Sequence, residues 1–203
     1  MSVILAMCLF SFSMSISPGP VNLITLSTGV NHGLGKAMPF VSGATIGFSL
    51  LLIATGLGLG QAAEQSPQLF NVLSYGGIGF LIYIGYRIAF SPSTLKIDAQ
   101  ARPSFLQGFL LQWLNPKAWV ACLAGVSAFN LTDSHAMLAV FVSIYFLICY
   151  LSIASWALAG EKIGATLRQP QFLRFFNLVV GGVLILVALY LLSIQIDLNL
   201  YFQ

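Results

Sequence analysis

Two short stretches join helix-stopping residues to residues that can hold a ligand: Ser17-Pro18-Gly19-Pro20-Val21-Asn22 and Asn115-Pro116-Lys117. A proline removes a backbone donor and clashes with the carbonyl four residues back, and a glycine between two prolines loosens the chain further. Each stretch therefore predicts an opened helix. Ser and Asn are favoured N-caps and proline suits the first helical position, so Ser17-Pro18 and Asn115-Pro116 each predict the start of a new helix. A helix start presents unpaired N–H groups and a partial positive charge. The chemistry this offers is capture of an anion such as a carboxylate. Lys117 adds a full positive charge beside the second break. Asn22, one turn beyond the first break, and Gln112, one turn before Asn115, either line the same site or bond a neighbouring helix. The candidate binding set is Ser17, Pro18, Gly19, Pro20, Asn22, Gln112, Asn115, Pro116 and Lys117.

The elements that must position these residues follow from composition. Of 203 residues, 58% are hydrophobic and 6% charged, with a mean hydropathy of +0.93. A soluble domain carries about 25% charged residues, so the chain reads as an integral membrane protein in the lipid bilayer. Six apolar segments approach the roughly 20 residues needed to cross a bilayer: 2–30, 38–60, 69–90, 105–130, 136–159 and 172–194. The fold class expected is all-α, with six transmembrane helices of which the first and fourth are discontinuous. An opened helix at membrane depth is tolerated only inside protein or against a wet cavity, which makes both breaks candidate sites. A charge near the bilayer centre costs at least about 2.5–3.5 kcal/mol, so Lys117 reads as functional, paired or facing water. The N-terminal run lacks a basic leader region, with Lys36 the first charge, and reads as a retained span. The last residues, 199–203, read as the remnant of a protease-recognition tag. Residues 1–198 form one transporter domain.

Seven of the eight Lys and Arg fall in or beside the first, third and fifth connections: Lys36, Arg87, Lys96, Arg102, Lys162, Arg168 and Arg174. The positive-inside rule puts those connections in the cytoplasm and both termini outside. The basic residues form no single patch, so no nucleic-acid partner is expected despite a net charge of +3. Three spans per half, with Pro18 and Pro116 opening the first span of each, predict an inverted 3+3 repeat with halves near 1–95 and 104–196. The paired glycines Gly76-Gly77 and Gly181-Gly182 echo one another weakly.

No Asp or Glu falls within these spans. That removes a buried carboxylate relay and any buried anion for a cationic side chain, and it favours a small zwitterion. Its carboxylate would meet the helix starts and Lys117, its ammonium the opened backbone or Asn22. If export is coupled to protons, Lys117 is the best-placed titrating group. Prolines that merely kink, glycines Gly43 and Gly47 that merely pack helices, and Trp113, Trp119, Trp156, Tyr83 and Tyr86 as packing or interfacial residues are the plainer readings. His32 and His135 sit at helix ends. Cys8, Cys122 and Cys149, scattered and odd in number, read as free buried thiols. No His or Asp at membrane depth could activate a serine, so an enzyme is not expected. No ATP-binding Gly-rich loop is present. A passive channel and a metal exporter are the alternatives, the latter without clustered ligands in the spans.

The chain resembles the lysine-exporter (LysE/RhtB) family of bacterial amino-acid exporters. The resemblance rests on Pro18-Gly19-Pro20-x-Asn22 continuing through Leu26-Ser27 to His32-Gly33, on Gly43-x-x-x-Gly47, on Tyr83-Ile84-Gly85-Tyr86-Arg87, and on Phe105-x-x-Gly108-Phe109 followed by Asn115-Pro116-Lys117. Leu111-Gln112-Trp113-Leu114-Asn115 and Trp156-Ala157-Leu158-Ala159-Gly160 are similar to the branch that exports cysteine and O-acetylserine. Val21 stands where many members carry Asn or Asp, which argues against a cationic substrate. The resemblance implies a secondary exporter in the bacterial inner membrane, without a cofactor, driven by an H+ or Na+ gradient, and often a homodimer.

Overall fold

The structure, a computed structural model, describes residues 2–59, 67–90, 103–166 and 170–201. Helix α1 (Val3–Ile16) is opened by Ser2, whose hydroxyl accepts the Leu5 N–H at 3.3 Å. The chain then runs extended through Ser17 to Gly19 before α2 (Pro20–His32), and the two helices are bent by 60°. The cause is local. A residue before proline is driven out of the helical region, and both Ser17 (ψ 139°) and Gly19 (ψ 176°) precede one. Gly33, at φ 81°, turns α2 into α3 (Leu34–Ala54) within one residue, a conformation that favours glycine. A wider π turn, Thr55–Leu59, prolongs α3.

Helix α4 spans Pro67–Ala89. A Ser104/Gln107 capping box opens α5 (Phe105–Trp113), and α6 (Pro116–Ala128) follows within three residues. After a 3-10 turn at Leu131–Asp133 come two long helices, α7 (His135–Thr166) and α8 (Pro170–Tyr201). Leu34–Leu59, His135–Ala165 and Gln171–Ser193 are each long and apolar enough to cross a membrane, and α1 with α2 qualifies as a broken span. The segments expected at 69–90 and 105–130 form α4 and the α5–α6 pair. One boundary differs: α7 continues through Gly160–Thr166, expected as a connection, so Glu161 and Lys162 ride on its last turns. No proline interrupts the chain before Pro170, and the segment is made of residues a helix accepts. Helix α8 likewise runs into the tag-like tail, to Tyr201. Glu64, Lys96, Asp98, Arg102 and Arg168, expected in connections, lie outside the described residues.

Three close crossings organise the bundle. Helix α3 meets α5 where Gly43 and Gly47 face Phe105 and Phe109, and Gly108 faces Phe40. Helix α2 meets α7 where Gly29 lies on the Ala157 carbonyl and Gly160 and Gly164 lie on Leu26 and Val30. Helix α4 crosses α8 at Gly85 and Gly181. A Cβ at Gly47 would stand 2.7 Å from the Phe109 carbonyl oxygen, and one at Gly85 2.9 Å from that of Gly181. Small residues let backbones approach this closely, so the Gly43/Gly47 face is a packing face. At the other end of the bundle Phe10, Phe129, Phe141 and Tyr145 form an aromatic cluster, and Tyr145 stacks on Phe48 at 4.3 Å.

Candidate functional site

The two helix breaks face one another across a cavity. At the first, the C-terminal carbonyls of α1 would be unpaired in an apolar interior. Each finds a side chain. Ser17 Oγ donates to Met14 O at 3.1 Å, and Trp156 Nε1 to Ile16 O at 3.1 Å. The Asn22 amide donates to Ser15 O at 2.9 Å and to Ser17 O at 2.8 Å. Lys117 Nζ reaches from the second break to Ser17 O at 2.8 Å and Ser17 Oγ at 2.9 Å, with a longer contact to Pro18 O at 3.4 Å. A cation here faces the negative end of the α1 dipole, a favourable pairing. Ser17 thus ends α1. The start of α2 falls two residues later, with Gly19 as N-cap and Pro20 in the first position. The expectation that Ser17-Pro18 opens the second half-helix is corrected: two X-Pro steps in succession hold Ser17 through Gly19 extended, so only Pro20 can begin a helix.

The second break behaves as expected at its cap. Asn115 Oδ1 accepts the Lys117 N–H at 3.1 Å and Pro116 occupies the first position. The Asn115 carbonyl takes the Ala118 and Trp119 N–H groups at 2.9 and 3.3 Å. These bonds use the first-turn donors of α6, so this helix start is not the open anion site that was expected. The α2 start has no side-chain cap, and its first residues, Pro20, Val21 and Asn22, border the cavity. Its dipole and the Lys117 ammonium are therefore the positive features facing it. Gly19 lets them approach: a Cβ there would stand 3.1 Å from Lys117 Nζ.

Of the predicted residues, Gly19, Pro20, Asn22, Gln112, Asn115 and Lys117 line the cavity, while Ser17, Pro18 and Pro116 flank it. Measured to the centres of water molecules the cavity holds about 40 Å³, room for roughly three waters. Met14, Ser15, Phe48, Tyr145, Cys149 and Ile153 complete its wall. The sequence offered no sign of these beyond the spacing of Tyr145, Cys149 and Ile153, which puts them on one face of a helix. It also missed Trp156, read as packing or belt, as a carbonyl donor. Trp119 does the same at the second break, donating to Trp113 O at 2.7 Å. The three cysteines are free.

A cavity at two broken, apolar helices, with a lysine bridging the breaks, is an arrangement that suits a membrane translocator. A family model described as LysE type translocator matches residues 12–195, and the chain belongs to that family. Among curated proteins it is 30% identical to a cysteine/O-acetylserine efflux protein of Escherichia coli O139:H28 over 179 residues, covering 86% of this chain and 89% of that one. Proteins of the same description from Escherichia coli K12 and Shigella flexneri are each 29% identical over the same length. No solved structure matches the chain significantly.

Proposed function

We propose that this protein is a secondary-active exporter of small neutral amino acids, carrying them from the cytoplasm across the bacterial inner membrane on an H+ or Na+ gradient. The observation that carries the reading is the cavity between the two breaks. It is of a size for a small zwitterion, and one end holds Lys117 and the uncapped α2 start. A carboxylate would take up the ammonium's weakest contact, now the 3.4 Å one to Pro18 O. The relatives described as cysteine/O-acetylserine efflux proteins support the neutral class.

The proposed architecture is six spans in an inverted 3+3 repeat, with both termini outside the cytoplasm and a homodimer as the assembly. Three matched spacings, two of them contacts, support the repeat. The breaks at Pro18 and Pro116 are 98 residues apart (18 to 116). Phe48 and Tyr145, 97 apart (48 to 145), stack on one another. Gly85 and Gly181, 96 apart (85 to 181), each pack on the other's carbonyl, so under this repeat Gly181 answers Gly85 and not the Gly76-Gly77 pair of the sequence echo. A residue touching its own equivalent is what a two-fold relation produces.

The test is efflux from proteoliposomes loaded with labelled cysteine, O-acetylserine, serine, threonine or lysine, comparing wild type with Lys117→Ala. Saturable, exchange-stimulated efflux of neutral amino acids, lost in the variant, is expected. Efflux without saturation or counterflow means a passive channel, and no efflux under an imposed ion gradient overturns the substrate class.

A further inference from the structure

We infer that Asn115 binds the carboxylate of the transported molecule: its side-chain amide N–H groups, not the backbone start of α6, are the donor that works beside Lys117. The inference rests on the exporter reading of the same cavity and assigns its polarity.

At each break an asparagine repairs the backbone, and the repair fixes which end of its amide is left over. Asn22 spends its N–H groups on Ser15 O and Ser17 O, at 2.9 and 2.8 Å. Its Oδ1 remains, an acceptor with nothing to offer an anion. Asn115 does the reverse. Its Oδ1 accepts the Lys117 N–H at 3.1 Å, and the two N–H groups on Nδ2 remain. Neither amide can be turned round, since the carbonyls need a donor and the Lys117 N–H an acceptor. Gln112, the other amide on the cavity wall, has no side-chain bond to a described residue. Either end of it can face inward, so it sets no polarity.

Asn115 is 4% exposed and borders the cavity. Its Nδ2 bonds no described residue, yet it is not among the sealed polar atoms that lack a bond, so it keeps surface open to a small molecule. Capping α6 does not require that nitrogen. Serine or aspartate caps a helix as well, without burying two N–H groups whose missing partners cost free energy. A carboxylate removes that cost. It has two oxygens, one for the Lys117 ammonium and one for Asn115 Nδ2. Both residues line the cavity, which holds only about 40 Å³, so a molecule that fills it meets both. The backbone donors of α6 stay with the Asn115 cap, and the cap's own unused end takes their place.

The experiment compares serine with serinamide, which replaces the carboxylate by a carboxamide and keeps the rest. At about pH 6, below the range of an α-amino group, both carry the ammonium. Apparent dissociation constants are read from the rise in melting temperature that each ligand gives the purified full chain, for wild type, Asn115→Ser and Asn115→Asp. Both substitutes are favoured caps. Wild type is expected to favour serine by at least about tenfold, the range of a hydrogen bond to a charged group. Asn115→Ser keeps the capping oxygen and drops the amide nitrogen, and the preference falls by about tenfold. In Asn115→Asp the left-over atom accepts where it donated, and the preference moves further toward serinamide. The ratio is taken within each variant, so lost stability alone does not move it. A ratio unchanged in Asn115→Ser overturns the inference, even where Asn115→Asp shifts it, because a shift in the aspartate alone is the field of an added charge. So does a wild-type ratio of one. In either case saturable counterflow of serine keeps the exporter reading. If wild type neither binds nor moves serine, that reading falls and the inference with it.

Discussion

Lys117 does two things at once in this structure, and they can be separated by mutation. Its ammonium caps the end of α1 through Ser17 and supplies the cavity's only cationic side chain among the described lining residues. Lys117→Ala removes both, leaving the Pro18 carbonyl without its side-chain donor, and efflux is expected to fall to background. Lys117→Arg keeps the charge but cannot release a proton. If Lys117 is the coupling group, that variant binds substrate and loses the pH dependence of transport. An unchanged pH profile sinks the role. Trp156→Phe tests the cap alone: the ring stays, the donor to Ile16 O goes, and thermal unfolding in detergent should show a loss of about 1 kcal/mol. No loss of stability would mean that carbonyl finds another donor. Lys117 and Asn22 were legible in the sequence, because a polar side chain inside an apolar run has to be explained. Trp156 was not. Its partner lies 140 residues away, and nothing in a tryptophan's neighbours along the chain tells which carbonyl it will reach.

Helices in this chain are held together by glycine as much as by apolar side chains. A methyl added at Gly108 would meet the Phe40 carbonyl, and one at Gly160 the Leu26 carbonyl, both backbone atoms that cannot swing aside. Gly108→Ala and Gly160→Ala should therefore each destabilise by about 1–3 kcal/mol, the usual cost of overpacking. Gly79→Ala is the control. It stands mid-helix in α4 with nothing within 4 Å of the added methyl, and alanine is the better helix former by about 1 kcal/mol. Equal melting temperatures for Gly79→Ala and Gly108→Ala would show that the crossing is not tight. The helices, the two breaks and the Gly43/Gly47 packing face follow from apolar run length, proline position and small-residue spacing, all local properties. The first cap was misread for a physical reason. Ser17-Pro18 looks like an N-cap and first turn in isolation, but the second proline forbids Gly19 from being helical and postpones the start to Pro20. The end of α7 was misplaced because Glu161 and Lys162 suggest a connection by charge, while nothing in Gly160–Thr166 stops a helix.

The whole molecule is closed unevenly, and under the proposed inverted repeat that asymmetry has a direction. The α2–α7 and α3–α5 crossings lie at the same end of the bundle, because α2 passes into α3 through Gly33 and α7 finishes beside Val30. This is the end that carries Lys36 and Lys162, and the proposed orientation makes it the cytoplasmic one. A two-fold relation exchanging α1–α4 with α5–α8 maps those crossings onto α6–α3 and α7–α1 at the opposite end. There the packing is looser: α3 touches α6 lightly, and α1 lies less close to α7 than α2 does. Inverted repeats work by exchanging two such arrangements around a fixed midplane site; on the proposed repeat and orientation this conformation would lean outward, its inner end sealed by backbone against backbone. The expected consequence can be measured at Ala121, which lines the cavity. With Cys8, Cys122 and Cys149 replaced by alanine, Ala121→Cys should react with a membrane-impermeant maleimide faster from the outer face than from the cytoplasmic face. Adding Gly160→Leu wedges the α2–α7 crossing apart and should raise the cytoplasmic rate at the expense of the outer one. Equal rates from both faces in the parent, or a Gly160→Leu variant that labels as the parent does, would mean that the glycine crossings are plain packing and that the gate is elsewhere.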